Sequence, residues 1–214
     1  MIDLETRGDV RVLRLDEGEN RFNRSSVDAI HAALDEVAAT QGPVALVTVG
    51  VGKFFSNGLD LDWMGSDDGR NDPTFLDDVH RVLQRVTHLD LITVAAVNGH
   101  AFAGGAMLAV AHDFRVMRED RGYWCIPEVD LGLPLTDVMF ATLDTHLPRT
   151  TLAEASLTGK RYSGPEALAA GIVHELATDD AVLDRAVELA ASLAAKDRTV
   201  IAAHKKLLHG DPVR

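Results

Sequence analysis

Apolar and polar positions fall into short, sharply bounded runs. Residues 2–6 (IDLET) and 9–15 (DVRVLRL) alternate as two strands do, with Arg7–Gly8 turning between them. Val27, Ile30, Ala33, Leu34 and Val37 recur at helical spacing. This predicts a helix to about Ala39, capped by Ser25 or Ser26 after the polar loop DEGENRFN (16–23). Val44–Val49 and Thr93–Val97 are continuous apolar runs, the mark of strands buried on both faces. Phe75–Leu89 has helical spacing, Gly104–Ala111 reads as a helix of small residues, and Phe114–Met117 is a strand again. Strands alternating with helices predict an α/β fold with a parallel sheet. From Pro148 the pattern turns helical, over 148–158, 163–170 and 180–208, with a short strand IVHEL at 172–176. No repeat, low-complexity stretch or linker divides the chain, and 214 residues suit one domain.

Two buried runs end alike. Val44–Val49 leads to the loop KFFSNGLDL (53–61), and Thr93–Val97 leads through Asn98–Gly99 to NGHAFAGGAMLA (98–109). Ligands of parallel α/β sheets sit beyond the carboxyl ends of strands. Gly104 and Gly105 fall where a helix begins, so backbone N–H groups are unpaired there and no side chain shields them. That suits an oxyanion. It suits close packing of the helix equally well. No G-x-G-x-x-G stands in the segment, so it is no dinucleotide fingerprint.

Composition narrows the function. A net charge of −12 argues against a broad nucleic-acid surface, while local basic groups at Lys53, Lys160–Arg161 and Lys205–Lys206 leave room for a small anionic ligand. No apolar run reaches the roughly 20 residues that span a bilayer. The N-terminus has acids where a secretory leader has a basic and then an apolar region. One cysteine, Cys125, permits no internal disulfide, fits a reducing compartment and reads as a small buried hydrophobe. A cytoplasmic location is therefore expected. The scattered histidines give no metal-ligand spacing, so no metal is expected. Ser56 lies in no nucleophile elbow.

Taken together, KFFSNGLDL, AAVNGHAFAGGAMLAVAHDFRVM, WCIPEVDLGL (124–133) and LTGKRYSGPEALAAGIVHEL (157–176) resemble the enoyl-CoA hydratase/isomerase (crotonase) superfamily, from about Asp9 to Lys206. The resemblance implies a spiral of β-β-α turns over residues 1–146, holding the acyl-CoA site. A helical C-terminal region (147–214) of the same domain would serve oligomerisation as a homotrimer or dimer of trimers. It implies that the N–H groups of Leu59 and Gly104 receive a thioester carbonyl oxygen, and that Glu128 is the acid/base residue. Ser56, Asn57, Gly58, Gly105 and Met107 would border the substrate. Arg21, Lys53, Lys205 and Lys206 would face the CoA end, so the partner is an acyl-CoA thioester and no further cofactor is needed. Hydratases of the family resemble one another in a second glutamate after the glycine cluster; here that position is Met107, which cannot carry a proton. The wording is closer to the Δ3,Δ2-enoyl-CoA isomerase branch, which keeps only the glutamate at Glu128. An apolar setting from Ile126, Val129, Leu131 and Leu133 is expected to raise its pKa. A hydratase with an unusual second acid, a thioesterase, a decarboxylase and a non-catalytic acyl-CoA binder remain the rivals. His100 is a possible ligand contact, His112 a packing or capping residue, and Asp60, Asp130 and Asp137 structural or solvated acids.

Overall fold

A computed structural model describes residues 1–178 and 181–211. The chain opens with a hairpin, β1 (Ile2–Arg7) and β2 (Val10–Leu15), turned by Gly8 at φ +61°. Helix α1 (Arg24–Ala39) follows. Its cap is Asn23, not the serines, whose side chain accepts from the Ser26 N–H while Ser26 Oγ accepts from the Asn23 N–H. Next come β3 (Ala45–Gly50), β4 (Phe54–Ser56) and two single-turn helices, α2 (Leu61–Met64) and α3 (Asp67–Arg70). Helix α4 (Phe75–His88), β5 (Ile92–Val97), β6 (His100–Phe102), α5 (Gly104–Ala111), β7 (Phe114–Arg118) and β8 (Trp124–Cys125) complete the α/β part. The rest is α6 (Glu128–Leu131), α7 (Asp137–Asp144), α8 (Arg149–Thr158), α9 (Gly164–Ala169), β9 (Glu175–Ala177), α10 (Val182–Leu193) and α11 (Arg198–His209).

The strands form two sheets. The larger runs β1-β2-β3-β5-β7-β9, antiparallel only in its first pair. Both faces are covered, which explains the unbroken apolar runs of β3 and β5. Leu46, Ala95 and Val97 face the main core with α1, α4 and α5; Val47, Val94 and Val116 face Val182, Ala186 and Ala190 of α10. All eight residues of α5 are buried, as an all-apolar helix must be. The smaller sheet, β4-β6-β8, is wholly parallel and only two or three residues deep. Its strands are too short to show a period, so the sequence presented them as loops.

Two boundaries differ from the sequence expectation. The helix expected over 180–208 starts at a position outside the described residues, and it is two helices, because Asp197 accepts from the Val200 N–H and begins α11 anew. The strand expected at 172–176 lies at Glu175–Ala177, because Ile172 and Val173 instead donate to Ala167 O and close α9.

Candidate active site at the carboxyl edge of the small sheet

The small sheet assembles the motifs. Phe54 pairs with His100 and Ser56 with Ala101; Ala101 pairs with Trp124 and Phe102 with Cys125, all in parallel. The residues leaving the three carboxyl ends are therefore neighbours: Asn57–Gly58–Leu59, Ala103–Gly104 and Ile126–Pro127–Glu128. Parallel strands lie about 4.8 Å apart, so the outer two exits are separated by roughly 10 Å.

Gly58 and Gly104 touch. A Cβ on Gly58, whose φ is +77°, would stand 2.9 Å from the Gly104 nitrogen and 2.9 Å from the Ala103 Cβ. Gly104 is the first residue of α5, where an N–H has no partner within its helix. Leu59 is held by a parallel bridge to Phe22: the Phe22 N–H donates to Gly58 O at 2.7 Å, and the Asp60 N–H donates to Phe22 O at 2.9 Å. These bonds use the groups on either side of Leu59 and leave its own N–H turned from Phe22. Two amides at one edge can thus receive an oxygen that gains negative charge. Ala103, just before Gly104, has φ +51° and ψ −127°. Such a conformation costs a non-glycine residue about 1–3 kcal/mol and persists where the surroundings over-determine it. Here the Ala103 N–H donates to Cys125 O at 3.1 Å and Ala103 O accepts from the Met107 N–H at 3.0 Å.

Glu128 opens α6 and is only 8% exposed. Its Oε2 is buried without a hydrogen-bond partner. Burial raises its pKa above the ordinary 4.5, against a smaller opposing effect of its own backbone N–H. The expected apolar wall is corrected in part. Ile126 is fully buried, but Val129, Leu131 and Leu133 are exposed, so they do not desolvate the carboxyl.

The other anticipated residues divide by environment. Ser56 is fully buried; its Oγ donates to Asn20 O at 2.7 Å and accepts from the Gly58 N–H at 3.2 Å, which fixes the first turn. Asn57 donates from its side chain to Glu19 at 2.8 Å. Gly105 is needed for packing, since a Cβ there would meet Ser56 O at 2.2 Å. Met107 is buried in the main core. Arg21 is engaged by Glu19 at 2.6 Å and Asp62 at 3.3 Å. Lys53 is exposed but lies at the amino end of β4, the edge opposite the Gly58–Gly104 turn, which corrects its expected place at the CoA end. Lys206 is exposed and paired with Asp211. Lys205 needs correction as a free basic group: it is buried, donating to Leu91 O at 2.9 Å and paired with Asp113 at 2.8 Å, so it joins α11 to the sheet. His112 is buried between Leu108 O and Thr48 Oγ1, both at 2.8 Å. Asp60 caps α2, Asp137 opens α7, and Asp130 is exposed over Gly159.

In the loop 16–23, Asn20 and Phe22 carry roles that the sequence did not suggest. Asn20, at φ +53°, donates to Phe54 O at 2.9 Å, and the Phe22 ring packs against Gly104. Only the αL tolerance of asparagine hinted at this. Among the described residues no group of three or more His, Cys, Asp or Glu could hold a metal ion. No helix there is long and apolar enough to cross a membrane.

The small parallel sheet thus sets the Leu59 and Gly104 amides and the buried Glu128 carboxyl at one edge. The chain belongs to the enoyl-CoA hydratase/isomerase family, whose pattern it matches over residues 5–212. It is 39% identical to enoyl-CoA delta isomerase 3 of Arabidopsis thaliana, over 92% of this chain and 86% of that protein. To the peroxisomal enoyl-CoA delta isomerase 2 of the same plant it is 37% identical, over 92% and 86%. Salmonella carnitinyl-CoA dehydratases are 37% identical over 77% of this chain and 62% of theirs. Among solved structures, a probable enoyl-CoA hydratase of Mycobacterium tuberculosis superposes with a TM-score of 0.91 at 28% identity, covering 99% of this chain and 89% of that one. A second structure of the same mycobacterial protein, described as an apo enoyl-CoA isomerase, gives 0.88 at 26%, covering 99% and 92%. One protein carries both descriptions, so likeness to it does not choose between the two reactions.

Proposed function

We propose that the protein is a Δ3,Δ2-enoyl-CoA isomerase in which Glu128 alone moves the proton. The observation that carries this reading is the pairing of a buried, unpartnered carboxyl at 128 with a buried methionine at 107. The Leu59 and Gly104 N–H groups would hold the thioester oxygen. Glu128, ionised, takes a proton from C2. Negative charge moves onto the held oxygen as a dienolate, and Glu128 returns the proton to C4. No water is added, so no second acid is required. Burial suits the shuttle, because a pKa raised toward the working pH eases both transfers. Coenzyme A enters as part of the substrate, so the chemistry needs no separate cofactor. The delta isomerase relatives support the same choice.

The direct test offers a 3-enoyl-CoA and, separately, a 2-enoyl-CoA, and follows absorbance of the conjugated thioester. The isomerase gains signal with the first and brings both substrates to the same mixture of enoyl isomers; formation of a hydroxyacyl-CoA from the second identifies a hydratase. Glu128→Gln keeps thioester binding and lowers turnover by at least 10²-fold, the scale of a lost acid/base group. An unchanged rate removes Glu128 from the mechanism, and binding with no turnover in the wild type identifies a non-catalytic binder.

The reading extends to a homotrimer or pair of trimers in a reducing, cytoplasmic setting. Its support is the exposed apolar set Leu131, Leu133, Phe140, Leu157 and Leu207, together with the single buried cysteine. Light scattering checks the assembly: a mass three or six times 23.1 kDa agrees, and a monomer does not.

A further inference from the structure

The amino edge of the small sheet carries a second constellation, at the end opposite the thioester edge. The His100 N–H donates to Lys53 O at 3.0 Å and the Ala101 N–H to Tyr123 O at 2.9 Å. Gly99 and Gly122 let these backbones close: a Cβ on Gly99 would meet Lys53 O at 2.1 Å, and one on Gly122 would meet the Gly99 carbonyl carbon at 2.7 Å. Lys53, His100 and Tyr123 therefore start three adjacent strands side by side. Trp124 pairs on its far side with Tyr162, which brings Arg161 next in line.

The side chains there are aromatic and cationic. The His100 ring lies 5.3 Å from Phe54, 5.1 Å from Phe102 and 5.7 Å from Tyr123, the last pair stacked at 28°. Arg161 lies over the Phe102 ring at 5.6 Å. Tyr123 is 41% exposed, so the outer ring of the stack meets solvent. His100 Nδ1 is buried with no hydrogen-bond partner. Burial and then the charges of Arg121, Arg161 and Lys53 lower the His100 pKa.

Those cations are unusual in this chain. Most arginines of this acidic protein stand against a carboxylate, Arg24, Arg85 and Arg198 among them. Among the described residues, Lys53, Arg121 and Arg161 are paired with none. The acid beside Arg121 in sequence, Asp120, is held by Arg118 through two bonds of 2.5 and 2.9 Å. Three positive charges in no ion pair, around an open aromatic stack, match one ligand chemistry: phosphates for the cations and a planar ring for the stack.

We propose that this amino edge binds a phosphorylated planar ligand of the nucleoside diphosphate class, separately from the thioester site. The proposal goes beyond the isomerase reading and does not depend on Glu128. The test uses ADP and inorganic pyrophosphate as probes in calorimetric titrations of the full chain at low and physiological salt. Pyrophosphate binds and weakens with salt, and ADP binds about tenfold tighter or more, the scale of one base stacked on one ring. Tyr123→Ala removes the advantage of ADP and leaves pyrophosphate bound. Arg121→Glu with Arg161→Glu weakens both probes at least tenfold; all three side chains are exposed, so the fold does not rest on them. ADP still binds when a saturating acyl-pantetheine thioester, which carries no nucleotide, occupies the thioester edge. Absence of binding by either probe at millimolar concentration overturns the proposal. So does binding untouched by the three substitutions, or ADP displaced by the nucleotide-free acyl-pantetheine thioester.

Discussion

Glu128 and Gly58 show how local chemistry is set by a few contacts. The Glu128 carboxyl is held above the usual glutamate range because burial outweighs the help of its own N–H. A shuttle that starts as a carboxylate then gives a kcat/KM that falls on the acid side, with its limb above pH 4.5, and a pH–rate profile checks this. At Gly58 the positive φ and the 2.9 Å approach to the Gly104 nitrogen leave no space for a side chain. Gly58→Ala puts a methyl group beside an amide of the oxygen site. Losing one such amide costs roughly 10²–10³ in rate, so kcat is expected to drop on that scale, as steady-state kinetics will show. The glycines at 58 and 104 were legible in the sequence as a pattern. Their contact was not, since 46 positions separate them and only the pairing of β4 with β6 brings them together. The strained Ala103 left no sequence signal at all, because alanine has no preference for its φ.

Among the elements, the small parallel sheet and the last helix decide most. Sheet β4-β6-β8 turns three loop-like segments into one edge with the oxygen site and one with the aromatic and cationic side chains. Helix α11 is tied down by the buried Lys205–Asp113 pair, and Asp113 also accepts from the Thr93 N–H at 2.7 Å. Removing one partner of a buried pair typically costs about 3–5 kcal/mol. Lys205→Ala is expected to lower the unfolding free energy on that scale in urea titrations while leaving the KM for thioester nearly unchanged. A raised KM with unchanged stability returns Lys205 to the ligand. The amphipathic spacing of α11 was legible along the chain, but a lysine reads as solvated until its neighbours in space are known.

At the scale of the whole molecule, the buried His112 and the half-buried His146 govern the response to acid. His112 and His146 are pushed down to about 3, in each case chiefly by burial. The unfolded chain protonates them near 6.5. Between those values the unfolded state binds protons that the folded state refuses. Their contribution is full above pH 6.5 and shrinks as pH falls toward 3, by up to about 1.4 kcal/mol per pH unit for each fully differing group. Glu128, raised in the folded state, works in the opposite sense, but one carboxyl opposes two histidines. The urea midpoint is expected to fall from pH 7 to pH 5; a constant midpoint would show that these rings are not buried neutral. The sequence by itself determined the α/β class, the buried strands, the main helices and the identity of Glu128 as the one glutamate in its motif. Hydrophobic periodicity and glycine placement are local signals written along the chain. Tertiary structure alone decided that Gly58 touches Gly104, that Lys205 is spent inside the fold, and that Lys53, His100, Tyr123 and Arg161 share an edge. Each of those rests on strand register between distant segments, and register is fixed by packing across the sheet, which no single stretch of sequence contains.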